Sequence, residues 1–260
     1  MERIMKERID DLGIGGLQII QNSDYFCFGT DSVLLANFVE SNSSQNVILD
    51  VCSGSGVIPL ILSAKKKYRK IFGVELQPEM YQLLQRNIIY NKLEDRIVGI
   101  QEDVKNVSNI RKRILQEMGS DKLDIMVANP PYKTVGTGIG NTHDVKYIAR
   151  HEVTCCLEDI FRSADALLKY KGKLYLVHKP ERLVDLMAVA RKYQLEPKRL
   201  QLVYPTIHAR PSIVLVEYIK QGGNELTILE PLIEYDAQGN YTEQFLKIYG
   251  YQAKEEETHG

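Results

Sequence analysis

The sequence predicts an α/β protein built on a mostly parallel, doubly wound sheet of seven strands, with a small hairpin-and-helix extension at its N-terminal end. Two observations carry this. From residue 46 to about residue 220, apolar runs of strand length alternate with longer helical stretches, the pattern left by right-handed crossovers between parallel strands. Acidic residues and glycines also recur where those runs stop, and open α/β sheets bind ligands at the carboxyl ends of their strands.

The elements follow in order. "NVILDV" (46–51) reads as a buried strand and "GVIPLILSAKKK" as its helix. "KIFGVEL" (70–76) is a second strand, followed by a helix in "QPEMYQLLQRNIIYNK" with Pro78 in its first turn, where the missing N–H has no partner to lose. "RIVGIQED" (96–103), a charged helix through "NIRKRILQEM", and "LDIMVAN" (123–129) come next. Val153, Cys156, Leu157, Ile160, Phe161, Ala164, Leu167 and Leu168 keep to one face of a long helix. "GKLYLVH" (172–178), a helix over 180–193 and strands near 199–204 and 213–219 complete the core. Residues 1–45 hold a hairpin within "GLQIIQNSDYFCF" and a short helix after "GTDS"; residues 221–260 open on a Gly-Gly turn and end in a charged tail. The core is thus 46–220, between an N-terminal and a C-terminal extension.

Composition narrows the class. An apolar fraction of 44% and a charged fraction of 26% are those of a soluble globular protein, and no apolar run approaches a membrane span. The net charge of −1 gives no overall field toward nucleic acid, although local basic clusters can hide in a balanced sum. Cys27, Cys52, Cys155 and Cys156 show no C-x-x-C pairing, which fits reduced thiols in a cytoplasm. "MERIMKERID" lacks the apolar centre of a signal peptide, and the five histidines have no metal-ligand spacing, so no metal is expected. The oligomeric state is left open.

"LDVCSGSGV" closes the first strand and opens its helix. Gly54 and Gly56 let the backbone turn tightly and aim N–H groups at a ligand. Asp50 ends the first strand, Glu75 the second and Asp103 the third. A dinucleotide site would place a third glycine where Pro59 stands, and Asp50 would oppose a pyrophosphate; a cationic ligand with an amino-acid end suits it better. Asp103 alone reads equally well as a helix N-cap.

The "D-x-x-x-G-x-G" run resembles the first motif of class I S-adenosylmethionine (SAM) methyltransferases. The resemblance implies a Rossmann-like class I fold with SAM as cofactor. It also implies that Asp50, Ser53, Gly54 and Gly56 surround the cofactor, Glu75 with Leu76 holds the ribose, and Asp103 with the Val104 amide holds the adenine.

"NPPY" after the fourth strand is unsuited to helix or sheet, because two prolines remove two N–H donors. Pro130 and Pro131 stiffen the loop, Asn129 and the carbonyls beside it can accept both hydrogens of a planar NH₂, and Tyr132 offers a flat face. An aromatic amine is a poor nucleophile, and accepting its hydrogens favours the tetrahedral nitrogen that attacks a methyl group. The motif resembles the signature of methyltransferases that act on adenine, cytosine or a glutamine amide.

"FGTDSVLLANF", "ARHE" (149–152), "ARPSIVLVE" (209–217) and "GNYTEQF" (239–245) are similar to the bacterial tRNA adenine-N6 methyltransferases that modify valine tRNA beside the anticodon, and the likeness spans nearly the whole chain. It implies that the N-terminal extension covers the cofactor site, with Gly29, Thr30 and Asp31 as lid residues. Asp31 also fits as the N-cap of a helix over 31–39. The implied partner is tRNA; Lys133, Lys146, Arg150 and Arg210 are candidates for its phosphates, and His151 and His208 lie in segments expected near the same edge. The clusters at 65–70, 111–113 and 198–200 read as solvated faces. Methylation of a protein glutamine amide or of DNA adenine are the alternatives, as is a SAM-binding protein without catalysis.

Overall fold

The computed structural model describes residues 7–25, 27–65, 68–132 and 155–250. Two short strands, β1 (Glu7–Asp11) and β2 (Gln18–Asn22), form an antiparallel hairpin. Helix α1 (Thr30–Phe38) leads into the main sheet, whose long strands are β3 (Val47–Val51), β4 (Lys70–Glu75), β5 (Ile97–Gln101), β6 (Leu123–Ala128), β7 (Leu168–His178), β8 (Leu195–Tyr204) and β9 (Ile213–Lys220). They lie in the order β8-β9-β7-β6-β3-β4-β5. Neighbours from β7 to β5 are parallel, and β9 runs antiparallel to β7 and β8. These are the seven expected strands. Two more from the C-terminal segment, β10 (Thr227–Ile228) and β11 (Leu232–Ile233), pair with β8 and bring the sheet to nine. At two residues each, they are too short to show a period in sequence.

Side chains alternate across the sheet as the pleat requires. Ile48, Ile71 and Ile125 pack toward α1, α2 (Val57–Lys65) and α3 (Pro78–Tyr90). Leu49, Phe72 and Met126 pack toward α4 (Val107–Met118), α5 (Leu157–Leu167) and α6 (Leu183–Lys192). Both faces are covered, which is why β3 reads as an unbroken buried run. From β3 the chain steps outward to β4 and β5, then returns to place β6 on the other side of β3. Such a reversal opens a crevice at the carboxyl ends of β3 and β6.

The hairpin differs from expectation. Its first strand is the charged "ERIDD", whose pattern of partial exposure carries no apolar alternation to read. β2 is held on its far side by side-chain amides of α3 and of the residue that caps its C-terminal end. Asn87 Oδ1 accepts the Ile20 N–H at 2.7 Å, and Asn87 Nδ2 donates to the carbonyls of Ile20 (3.1 Å) and Ser55 (2.9 Å). One turn on, Asn91 accepts from Gln18 N at 3.0 Å and donates to Gln18 O at 2.7 Å. The two amides take the part of a neighbouring strand.

Helix α1 is a packed layer, with Val33, Leu34, Leu35 and Ala36 buried. Lys65 closes its C-terminal end by donating to the carbonyls of Ala36 and Asn37, both at 2.9 Å, and burial pushes the ammonium down to about 8. Other described members of the basic clusters also serve the fold: Arg111 donates to Ala166 O, Arg113 pairs with Glu117, Lys198 donates to Gly223 O, and Arg199 pairs with Glu217. The long apolar stripe divides, because Leu168 already belongs to β7, while Val153 lies outside the described residues. Among the described residues no helix is long and apolar enough to cross a membrane.

Candidate active site

Strand register brings the functional candidates to one edge. Val51 pairs with Val74 and with Ala128, and Ala128 pairs with Leu176, so the residues after β3, β4, β6 and β7 emerge side by side.

In the turn from β3 to α2, Cys52, Gly54 and Gly56 all have positive φ, at 60°, 55° and 90°. A Cβ at Gly56 would stand 2.4 Å from Leu84 Cδ1, so glycine is what lets α3 approach. Cys52 adopts this left-handed backbone with a side chain present, a strain of about 1–3 kcal/mol that clusters at functional sites. Glu75, at 5% exposure, clamps the turn: Oε2 accepts the Gly54 N–H and Oε1 the Gln77 N–H, each at 2.8 Å. Leu76 follows as an exposed apolar ledge.

Asp50 is fully buried under this turn. Ser53 Oγ donates to its Oδ2 at 2.6 Å, whereas Oδ1 has no hydrogen-bond partner among the described residues. Burial pushes the carboxyl up to about 8, opposed by the Ser53 hydrogen bond and reinforced by the charge of Glu75. A buried acidic oxygen at this turn complements an ammonium and repels a phosphate. The residues present therefore fit the amino-acid end of SAM.

Asp103 is turned into its own loop, with Oδ1 accepting the Lys105 N–H at 2.9 Å and Lys105 Nζ at 3.3 Å from the carboxylate. It is not the cap of α4, a place taken by Asn106. Val104 is buried, and its carbonyl accepts the Ser163 hydroxyl at 2.8 Å.

The "NPPY" loop leaves the end of β6. Asn129 Nδ2 donates to Ser32 Oγ at 2.9 Å, and the Tyr132 hydroxyl donates to Asn129 Oδ1 at 2.9 Å. Pro130 is buried and Pro131 half-buried. The Tyr132 ring lies against His178 (centroids 5.2 Å apart), with Lys179 Nζ 5.1 Å from its centroid. Burial and then the Asp31 carboxylate beside it hold the Tyr132 hydroxyl well above its ordinary range. His178 Nδ1 accepts the Lys179 N–H at 2.8 Å, and burial followed by the Arg182 charge lowers the imidazole to about 4. It is neutral near pH 7.

Asp31 lies in the first turn of α1 and does not cap it, since Gly29 is the N-cap residue. Thr30 is hydrogen-bonded by Tyr249, at the end of helix α7 (Glu243–Ile248). The structure thus forms two adjoining groups: Asp50, Ser53, Gly54, Gly56, Glu75 and Leu76 around the turn, and Asp31, Asn129 and Tyr132 around the proline loop. Arg210 is exposed in the β8–β9 loop at the same sheet edge. Lys133, Lys146, Arg150, His151 and the "ARHE" segment lie outside the described residues.

Sequence reasoning missed Ser32, His178, Lys179 and Glu234. Burial and the nearby charge of Asp31 raise Glu234, against the pull of Lys179, which places all three at the mouth of the site. His178 ends β7 and Lys179 follows it, as Asn129 follows β6, so the strand-end rule could have found them. No local signal links Ser32 to a residue 97 positions away.

The TRM5/TYW2 methyltransferase domain matches residues 32–124. A predicted O-methyltransferase of Agrobacterium tumefaciens has the same fold, with a TM-score of 0.66, 21% identity, and coverage of 85% of this chain and 96% of that one. A tRNA1(Val) (adenine(37)-N6)-methyltransferase of Porphyromonas gingivalis is 27% identical over 85% of this chain and 86% of its own length. One of Parabacteroides distasonis is 30% identical over 73% of this chain and 75% of its own. With its glycine turn, its buried acid and its "NPPY" loop on one edge of this fold, the chain belongs to the tRNA1(Val) (adenine(37)-N6)-methyltransferase family.

Proposed function

We propose that the protein transfers a methyl group from SAM to the exocyclic N6 amine of an adenine in tRNA, near the anticodon. The observation that carries this reading is the held amide of Asn129. Tyr132 occupies one lone pair of Oδ1, and the other remains to accept a hydrogen of a planar amine.

SAM, when bound, supplies an electrophilic methyl on a sulfonium. Glu75 would accept from the ribose hydroxyls, and Asp50 would face the ammonium. Asn129 Oδ1 and the loop carbonyl of Pro130 accept the two amine hydrogens, which draws the nitrogen toward a tetrahedral shape with its lone pair directed at the methyl. The Tyr132 ring offers a face to the base, with Lys179 above it. No strong base is needed, because the methylated amine is acidic until it sheds a proton to water. A stacked adenine cannot reach such a recess, so the base must swing out of its loop. Lys133, Lys146, Arg150 and Arg210 are proposed phosphate contacts, and a tRNA substrate supports a cytoplasmic location.

The test is mass spectrometry of nucleosides from tRNA incubated with the protein and methyl-labelled SAM. N6-methyladenosine carrying the label is expected. Label in protein glutamine and none in tRNA would overturn the reading.

A further inference from the structure

We propose that Ser32 is a positioning residue whose hydroxyl holds the Asn129 amide in the orientation that presents Oδ1 to the target amine. The inference rests on the amine-methylation reading for its catalytic consequence, but its structural content stands on the geometry alone.

An asparagine amide does not choose its own orientation. Its terminal torsion is broad and two-fold, and its two ends are nearly the same size but opposite in hydrogen-bonding character. Here both ends have partners on the protein side: Ser32 Oγ takes an N–H from Nδ2 and Tyr132 gives its O–H to Oδ1, each at 2.9 Å. Were the amide reversed, Nδ2 would face the incoming amine, donor against donor, and the amine would lose an acceptor inside the site.

Ser32 is well placed to prevent this. It is 3% exposed, so no bulk water competes for its hydroxyl. It stands in the first turn of α1, whose following residues Val33, Leu34 and Leu35 are packed into the core. The far end of α1 is fixed by Lys65, and by Asn37 Nδ2 donating to Ile248 O at 3.1 Å. A hydroxyl on a helix held this way is a firmer guide than one on a loop. The segment implied to cover the cofactor therefore also shapes the methyl acceptor site.

The experiment is Ser32→Ala, a substitution that a helix accepts readily. The side-chain amide signals of Asn129 in ¹⁵N NMR, assigned by their loss in Asn129→Ala, should be distinct and slowly exchanging in the wild-type protein. In Ser32→Ala they should move toward a free amide and exchange faster. The rate of methyl transfer in a single turnover should fall by about 10- to 100-fold, with SAM affinity, KM for tRNA and melting temperature little changed. A purely structural serine would instead shift melting temperature and leave the amide signals in place. Unchanged amide signals, or a wild-type rate, in Ser32→Ala overturns the proposal. If wild-type protein transfers no methyl to tRNA, the proposed function fails, and the amide signals still decide the role of Ser32.

Discussion

Glu75 reaches back across 21 residues to accept the Gly54 N–H at 2.8 Å, so the acid expected at the ribose also fixes the glycine turn. Its other oxygen holds the entry to α3 through Gln77 N. Glu75→Gln keeps the shape but leaves one oxygen to serve two N–H groups. Loss of a charge-assisted contact of this kind should weaken SAM binding by about 1.5–3 kcal/mol. Calorimetry on the folded variant checks it, and an unchanged Kd would exclude Glu75 from the cofactor site.

Asn129→Ala should leave SAM affinity within a few-fold and remove most turnover, since the proposed cofactor contacts come from the ends of β3 and β4. Tyr132→Phe tests a subtler point. Stacking alone requires only the ring, yet the hydroxyl bonds Asn129 Oδ1. The phenylalanine variant is expected to lose turnover several-fold, with SAM affinity intact. Single-turnover rates close to wild type would show that the hydroxyl does not matter.

Asp50 predicts a pH dependence. Its carboxyl titrates near 8 in the folded protein and near the ordinary carboxylate value of about 3.9 in the unfolded chain. Between these values the folded state holds a proton that the unfolded state has released, so stability falls as pH rises through that window. Asp50→Asn removes the charging cost. Without SAM it should therefore be the more stable protein at pH 8, by about 1–3 kcal/mol, with the gap closing toward pH 4. It should also bind SAM more weakly, having lost the acid proposed for the ammonium. Urea unfolding of both proteins at several pH values measures the first effect; a constant gap across the range would contradict it.

Asn87 joins three parts of the chain, and Asn87→Leu would strand the Ile20 N–H and the carbonyls of Ile20 and Ser55. Several unmet buried groups should cost about 2–4 kcal/mol. Asn91→Ala, whose bonds to Gln18 lie at the exposed end of the strand, should cost clearly less. Equal losses in urea unfolding would mean that burial does not set the scale here.

The long strands and their helices were legible because apolar periodicity is a local property. Glu75, Asp50 and Asn129 were legible for a related reason: a polar residue that ends an apolar run points to the ligand edge. β1 was not, since an exposed edge strand of charged residues has no core face to advertise. The partners of Asn87 and Asn129 were not legible either. An amide in a helix or after a strand looks alike whether it faces water or satisfies a backbone 67 residues away. The covering of Asp50 is of the same kind, because sequence shows which strand ends in an acid and not which turn folds over it.

Helix α1 is made early and finished late. Its first turn meets Asn129 across 97 residues, and its last turn meets Ile248 across 211. On a ribosome these residues emerge before any strand of the main sheet, and contacts of such separation close only after the intervening chain has collapsed. A nascent chain that had reached residue 220 would carry every residue of the cofactor turn and the proline loop, yet lack an anchor of the helix that aims the amide. Competence for methyl transfer would thus arrive with α7 rather than with the proline loop.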